Sequence, residues 1–330
     1  MKKILILLGC LLLLGGCGKT TEEKLIKDFT NNVNSSKSYK LSGSLEIMND
    51  EDTFNYQVDV GYKKKDMYKV QLTNTTNQHK QVILKNSDGV YVITPSLNKS
   101  FKFQSEWPNN SSQAYLLGSI LDDLTNTKDK HYTEENDYYV LQTDVNYPNN
   151  ADLSYQKLYF DKDYNLKKNE VYNTDNQVRI RFVLSDIDYK ANLADDYFKV
   201  DNAIDENCCS TETTSSALDE IIYPLYIPSD TYLTTKETVA TDNGNRAILT
   251  FAGSKDFVLI EEPTMANKEF STIPIYGDPI MMNGTVAALS GNSLYWTIDN
   301  VDYYLAGSDL STNELISVAN SISNTIVTGK

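Results

Sequence analysis

The chain has 330 residues, 40% hydrophobic and 23% charged, enough for one large domain or two ordinary ones and unlike a disordered tail. Lys+Arg 30 against Asp+Glu 45 gives a formal net charge of -15, which argues against nucleic-acid binding, because phosphate backbones are held by clustered Lys and Arg. With 2 His and 4 Cys, His-rich metal centres, zinc ribbons and disulfide scaffolds have too few ligands, and nothing implies a cofactor. Tyr, at 23 residues, favours strands and interfaces, so the composition points to a sheet-rich binding protein.

The chain opens on Met1-Lys2-Lys3, followed by an apolar run from Ile4 to Leu14. That run is too short to span a bilayer and suits the core of a signal peptide. It ends in Leu14-Gly15-Gly16-Cys17, which resembles the bacterial lipobox. There the cysteine carries a diacylglycerol and becomes the first mature residue. Two acyl chains anchor firmly where one is marginal. Residues 1–16 are therefore expected to be a signal peptide and Cys17 a lipidation site. Gly18-Lys19-Thr20 ends like a phosphate loop, but Leu13 stands where that loop needs glycine, and the segment is a processing site.

Thr20 and Glu23 form a capping box, and Leu25, Ile26, Phe29 and Val33 follow at helical spacing, so a first helix is expected within residues 17–37. From Tyr39 the period becomes two. Tyr39, Leu41, Leu45 and Ile47, then Phe54, Tyr56, Val58, Val60 and Tyr62, then Tyr68, Val70 and Leu72 alternate with polar residues. Asn86-Ser87-Asp88-Gly89 joins Gln81–Lys85 to Val90–Thr94 as a hairpin. Such alternation belongs to an antiparallel sheet with one buried face. The polar run after Pro108 supplies helix caps, and Ala114, Leu117, Ile120, Leu121 and Leu124 make the apolar stripe of one helix. Tyr138–Val145, Leu153–Phe160, Leu166–Tyr172 and Val178–Leu184 read as further strands.

Residues 38–201 thus form a curved sheet plugged by a helix. Residues 202–218, rich in Ser, Thr, Asp and Glu and containing Cys208-Cys209, are the expected linker. Residues 219–330 form a smaller α+β domain with strands at Arg246–Phe251, Phe257–Glu261, Leu294–Ile298 and Val301–Leu305. Its closing helix is capped by Ser311 and Glu314, stapled by Leu310 and Leu315, and buries Leu315, Val318, Ala319 and Ile322.

Tests for chemistry give little. Ser96-Leu97-Asn98-Lys99 matches the S-x-x-K nucleophile motif but sits between strands rather than at a helix start, and its companion motifs are missing. His79 and His131 lie in polar stretches and are expected to face solvent. Asp122-Asp123 and Asp195-Asp196 read as solvated faces, and Lys63-Lys64-Lys65 as a solubilising turn. No nucleophile, base and stabiliser converge. The expectation is a non-enzyme without metal.

The stretch Gly89 to Leu116, with Pro95-Ser96-Leu97-Asn98-Lys99-Ser100-Phe101-Lys102-Phe103 and Trp107-Pro108, resembles the YdcC-type sporulation lipoproteins of spore-forming Gram-positive bacteria. Their N-terminal domain is similar to the LolA, LolB and RseB group, and the germination lipoprotein GerS looks like a shorter relative. The resemblance implies a mostly antiparallel α+β fold: a half-open β-barrel with plugging helices, plus a small C-terminal α+β domain. It also implies a concave face that holds acyl chains or a partner's peptide, and no catalytic residues. The expected protein is a lipid-anchored sporulation or germination factor on the extracytoplasmic face of the membrane. It would bind a protein partner, such as a cell-wall or spore-cortex enzyme, or an acylated ligand; the alternatives are a LolA-like lipid or lipoprotein carrier or receptor and a cell-wall hydrolase. Phe101, Phe103, Trp107 and Tyr115 are the candidate ligand- or partner-binding residues. Equal parity puts Phe101, Phe103 and Trp107 on one side of a strand that stops at Pro108. Phe101 and Phe103 are expected in the core and Trp107 at the rim.

Overall fold

A computed structural model describes residues 21–50, 52–205, 221–264, 266, 269–282 and 284–322. Cys10, the lipobox with Cys17, and Cys208-Cys209 lie outside the described residues. Among the described residues, no helix is long and apolar enough to cross a membrane.

The fold is α+β and mostly antiparallel. The first helix, α1 (Thr21–Ser35), buries Leu25, Phe29 and Val33. It leads into β1 (Ser38–Met48), β2 (Thr53–Lys63), β3 (Met67–Asn74), β4 (Lys80–Asn86), β5 (Gly89–Thr94) and β6 (Lys99–Phe103). Then come α2 (Leu117–Asn126), β7 (His131–Glu135), β8 (Tyr138–Asp144), β9 (Leu153–Phe160), β10 (Leu166–Asn173), β11 (Val178–Asp188) and the short α3 (Val200–Asp205). These strands pair in the order β6-β5-β4-β3-β2-β1-β11-β10-β9-β8-β7, so β11 returns beside β1. The period-two pattern explains the burial: Tyr39, Leu41 and Leu45 of β1 and Tyr56, Val58 and Val60 of β2 are all buried. The Asn86–Gly89 hairpin forms in the expected register.

α1 and α2 lie on one face of this sheet and share a core with it. Leu25, Phe29 and Val33 join Leu117, Ile120, Leu121 and Leu124 over Leu45, Val58, Val70, Leu141, Leu158 and Phe182. The concave face is thus filled by the chain's own helices. The sheet does not close into a barrel, since its two ends are separate edges.

Beyond residue 220 lie β12 (Thr231–Thr241), β13 (Gly244–Gly253), β14 (Phe257–Pro263), β15 (Ser271–Ile275), β16 (Asp278–Met282), β17 (Thr285–Ser290), β18 (Ser293–Ile298), β19 (Val301–Ala306) and α4 (Thr312–Ile322). All but β15 form a seven-stranded sheet, β12-β13-β14-β19-β18-β17-β16. The Asp299-Asn300 turn has positive φ at both residues, 49° and 61°, the geometry that suits a tight hairpin. The Ser311–Glu314 capping box forms reciprocally, with the Ser311 amide donating to Glu314 at 2.9 Å and the Glu314 amide to Ser311 Oγ at 3.3 Å. All four expected α4 residues are buried.

β7, β12, β15, β16 and β17 were not foreseen, and β15 matters most. It leaves the C-terminal region and pairs in parallel with β6, Ile273 opposite Phe101, making the large sheet twelve-stranded. Side chains reinforce the seam. The Val286 amide donates to Gln81 Oε1 at 2.7 Å. Lys99 Nζ donates to Asp302 at 2.8 Å and to Tyr295 Oη at 2.7 Å. Asp278 accepts from Asn110 at 2.7 Å. The two sheets are joined by these polar contacts and by Val286 and Ala288, which pack into the large sheet's core.

Three local expectations are corrected. The strand carrying Phe101 ends at Phe103, not at Trp107, because β15 stops there as well. The N-cap of α2 is Leu116, without a side-chain cap. Ser112 is drawn away instead, donating to Asp123 at 2.8 Å and accepting from the Asn146 amide at 2.7 Å. Finally, Asn202 to Asp205, placed at the start of the linker, continue α3.

Candidate functional site

One end of strands β1 to β3 carries a row of tyrosines. Tyr39 pairs with Tyr62 across β1–β2 and Tyr62 with Tyr68 across β2–β3. Directly opposed residues share a face, so the three rings stand side by side. Their centroids are 4.8 Å apart for Tyr39–Tyr62 and 5.0 Å for Tyr62–Tyr68, and Trp107 meets Tyr68 edge-on at 6.0 Å. Tyr39 and Tyr68 are buried in the shared core, and Tyr62 is half-buried at its margin. A cleft of about 440 Å³ remains, lined by these tyrosines, by Val33 and Asn34 at the end of α1, and by Gly118, Leu121 and Asp122 in the first turns of α2. Lys64 and Asp66 of the β2–β3 turn and Pro108-Asn109 complete the rim. Gly118 permits the close approach: a Cβ there would lie 3.1 Å from the Tyr68 hydroxyl.

The electrostatics of the cleft follow from partial burial. Asp122 is raised above the ordinary carboxylate range, first by desolvation and then by the nearby charge of Asp66. Tyr62 is raised for the same two reasons. The Tyr39 hydroxyl is buried, and desolvation raises it well above the usual phenol range, the Leu117 backbone opposing the shift. A wider, more open groove of about 780 Å³ runs between α1, the end of α2 and β7, lined by Ile26, Leu124, Lys128 and His131 among others.

The four candidate binding residues are distributed differently from expectation. Phe101 and Phe103 are core, as expected, with Phe101 edge-on to Tyr295 of the second sheet at 5.0 Å. Trp107 was expected at the rim. It is 2% exposed and packs in the same core, so only its neighbours Pro108 and Asn109 reach the cleft. Its amide donates to Ser105 Oγ at 3.0 Å, which folds the chain back and turns the indole inward. Tyr115 is also buried, its hydroxyl donating to Gln113 at 3.1 Å. The tyrosine row was missed because its members lie in three strands. The signal was present: with a hairpin at each intervening turn, Tyr39, Tyr62 and Tyr68 fall into register.

Other sequence readings are also settled. Ser96 and Lys99 do not form a catalytic pair. Ser96 lies in a single 3-10 turn, Asn98 is left-handed, and Lys99 points to Asp302 and Tyr295. His131 is exposed as expected. His79 is not: its Nε2 is buried without a partner, and burial lowers its basicity while Asp299 of the second sheet raises it. Asp123 is likewise no solvated residue. It accepts from Ser112 and from Gln156 Nε2, the latter at 3.0 Å, and burial pushes its carboxyl up to about 6. Asn169 extends this network, donating to Gln156 at 2.8 Å and to the Ala114 carbonyl at 3.1 Å. The network fastens α2 and its leading loop to β9 and β10.

The model of the Sporulation protein YdcC-like family matches residues 1–198. The chain is also 35% identical, over 324 residues, to Sporulation protein YdcC of Bacillus subtilis (strain 168), covering 97% of this chain and 96% of that one. The chain belongs to the YdcC-like family of sporulation proteins. Among solved structures it is similar to the Pseudomonas aeruginosa MucA/MucB complex, with 15% identity, coverage of 89% and 97% of the two chains, and a TM-score of 0.34. It is also similar to the Clostridioides difficile CwlD amidase in complex with the GerS lipoprotein, with 21% identity, coverage of 52% and 98%, and a TM-score of 0.31.

Proposed function

We propose that this chain is a non-enzymatic sporulation lipoprotein, tethered by diacylglyceryl-Cys17 to the extracytoplasmic face of the membrane, which binds a protein partner at the tyrosine cleft. The partner class that suits this place is a cell-wall or spore-cortex enzyme. One observation carries the reading: α1 and α2 fill the concave face, while a cleft beside half-buried Tyr62 stays open with charges at its rim. The face filled by α1 and α2 leaves no room beneath them for acyl chains, and the wider groove beside it is lined mostly by polar residues such as Glu22, Lys128, Asp129 and Lys130, whereas a small polar-rimmed cleft suits a side chain of another protein. Membership of the sporulation family and the Leu14–Cys17 pattern support the stage and the tether.

Cys17→Ala followed by cell fractionation tests the tether, and release of the protein from membranes is the expected outcome. Native mass spectrometry of the membrane-extracted chain separates partner binding from lipid carriage. The expected spectrum holds no lipid beyond the anchor. A stoichiometric second acylated species of fixed mass would replace this reading with a carrier.

A further inference from the structure

We infer that the edge strand β12 is where two copies of this chain meet, pairing antiparallel across a two-fold axis. β12 ends the seven-stranded sheet, and among the described residues it pairs with β13 alone. Its other edge leaves backbone N–H and C=O groups open, a template for a further strand. Register with β13 slips between Leu233 and Thr235 and then runs unbroken to Thr241, so residues 235–241 offer a regular edge. The free edge of the large sheet differs: β7 is five residues long and ends in Glu134-Glu135, the short, charged form that blocks pairing.

The surroundings of β12 are apolar. Of the twelve large apolar side chains exposed among the described residues, seven fall between Tyr223 and Val239, with Leu225 68% and Tyr232 65% exposed. The segment before β12 lies against it, since Lys236 Nζ donates to Tyr223 Oη at 3.1 Å. The one lysine of the strand, a residue type that commonly guards an edge, is thus turned onto a ring. Leu233 stands opposite buried Phe251, on the face that carries α4, and Tyr232 and Val239 stand on the other face, so apolar groups flank the open edge on both sides. Together the seven side chains expose on the order of 600 Å², at the top of the range for the largest patch of a monomer and close to what each partner brings to a standard-size interface. Charge selects the second copy. The chain carries -15, so two copies repel over most of their surface, but residues 223–241 hold only Asp230, Lys236 and Glu237. A strongly charged partner gains nothing there. Antiparallel edge pairing is self-complementary, each strand returning the hydrogen bonds that it receives, and the threonines at 234, 235, 238 and 241 suit cross-strand contact.

The test uses the full lipidated chain in excess detergent, so that micelles hold one chain each unless chains associate. Sedimentation velocity and native mass spectrometry read its mass, and hydrogen exchange at two protein concentrations reads the edge. A dimer is expected at micromolar concentration. The amides of residues 235–241 should exchange more slowly as concentration rises, and those of residues 131–135 should not change. Leu233→Lys/Val239→Lys sets like charges along the paired strands and should weaken self-association by about tenfold or more. Val183→Lys, at a similarly exposed apolar residue of the large sheet, should leave it unchanged. Thermal melting checks each fold; if the double variant melts early, Tyr232→Ser carries the comparison, with an expected weakening of about threefold. A monomer at micromolar concentration, a dimer indifferent to the β12 changes, or an equal loss in Val183→Lys overturns the inference. Protection of residues 235–241 that does not depend on concentration, in a monomer, overturns it in favour of cover by the chain's own residues. Photocrosslinks from position 232 that reach only a different protein overturn it in favour of another partner.

Discussion

The floor and the mouth of the large sheet are built from the same strands by the same alternation, yet they finish differently. At the floor, Leu45, Val58, Val70, Phe103 and Phe182 meet α1 and α2 and are sealed. At the mouth, Tyr39 and Tyr68 are still buried in that core, while Tyr62 is half-buried beside a cleft bounded by Asn34 and Gly118. The floor carries stability. The mouth carries the exposed carboxylates Asp66 and Asp122 around half-buried Tyr62. Alternation alone therefore does not mark a ligand cavity. What matters is whether the chain supplies its own cover.

The sharpest way to break this contrast is Trp107→Ala. The indole lies in the sealed region, so truncation should cost about 3–5 kcal/mol in chemical denaturation. A loss within about 0.5 kcal/mol, the range of ordinary surface changes, would mean that Trp107 belongs to the mouth. Next is Lys99→Ala, which strands Asp302 on the seam where the second sheet closes over Phe101. A cost of about 3 kcal/mol is expected, because removing one partner of a buried pair leaves an uncompensated charge.

Asp123 sharpens the comparison through pH. Its carboxyl rises from 3.8 to about 6 on folding, chiefly by burial. The folded state therefore holds its proton where the unfolded state has released it. Stability should fall as pH rises from about 4 to about 6, by roughly 2 kcal/mol, and then level off. Denaturation across that range, wild type against Asp123→Asn, isolates the effect: the difference between the two should shrink if burial is not the cause. The smallest effect belongs to the mouth. Asp122→Asn should change stability by less than about 0.5 kcal/mol, since its side chain makes no ion pair among the described residues, and a larger loss would assign it a structural role.

Much of this architecture was legible in the sequence because it rests on local patterns. The β1 to β3 strands announce themselves by alternation, β4 and β5 by the hairpin turn between them, and α4 by its capping box and apolar stripe. What escaped was decided at long range or lacked a pattern. β12 reads Thr-Tyr-Leu-Thr-Thr-Lys-Glu-Thr-Val-Ala-Thr and is exposed along nearly its whole length, so no buried face imprints a period on it. β15 contains Pro274 and exposes its middle residues, and only its partner β6, far away in sequence, makes it a strand. His79 and Asp123 looked like solvated residues because their covers, Asp299 and Gln156, come from distant segments. The tyrosine row needed three-strand register, which pairwise hairpin reading does not assemble by itself.

The floor is sealed, and the mouth is the place proposed for another protein. A photoactivatable phenylalanine analogue placed at Tyr62 or at Phe103 of the membrane-tethered chain, irradiated in sporulating cells and resolved by mass spectrometry, tests both halves together. A discrete protein adduct from position 62, with only internal crosslinks from position 103, is the expected result. A lipid adduct from position 103 and no protein adduct from position 62 would contradict it.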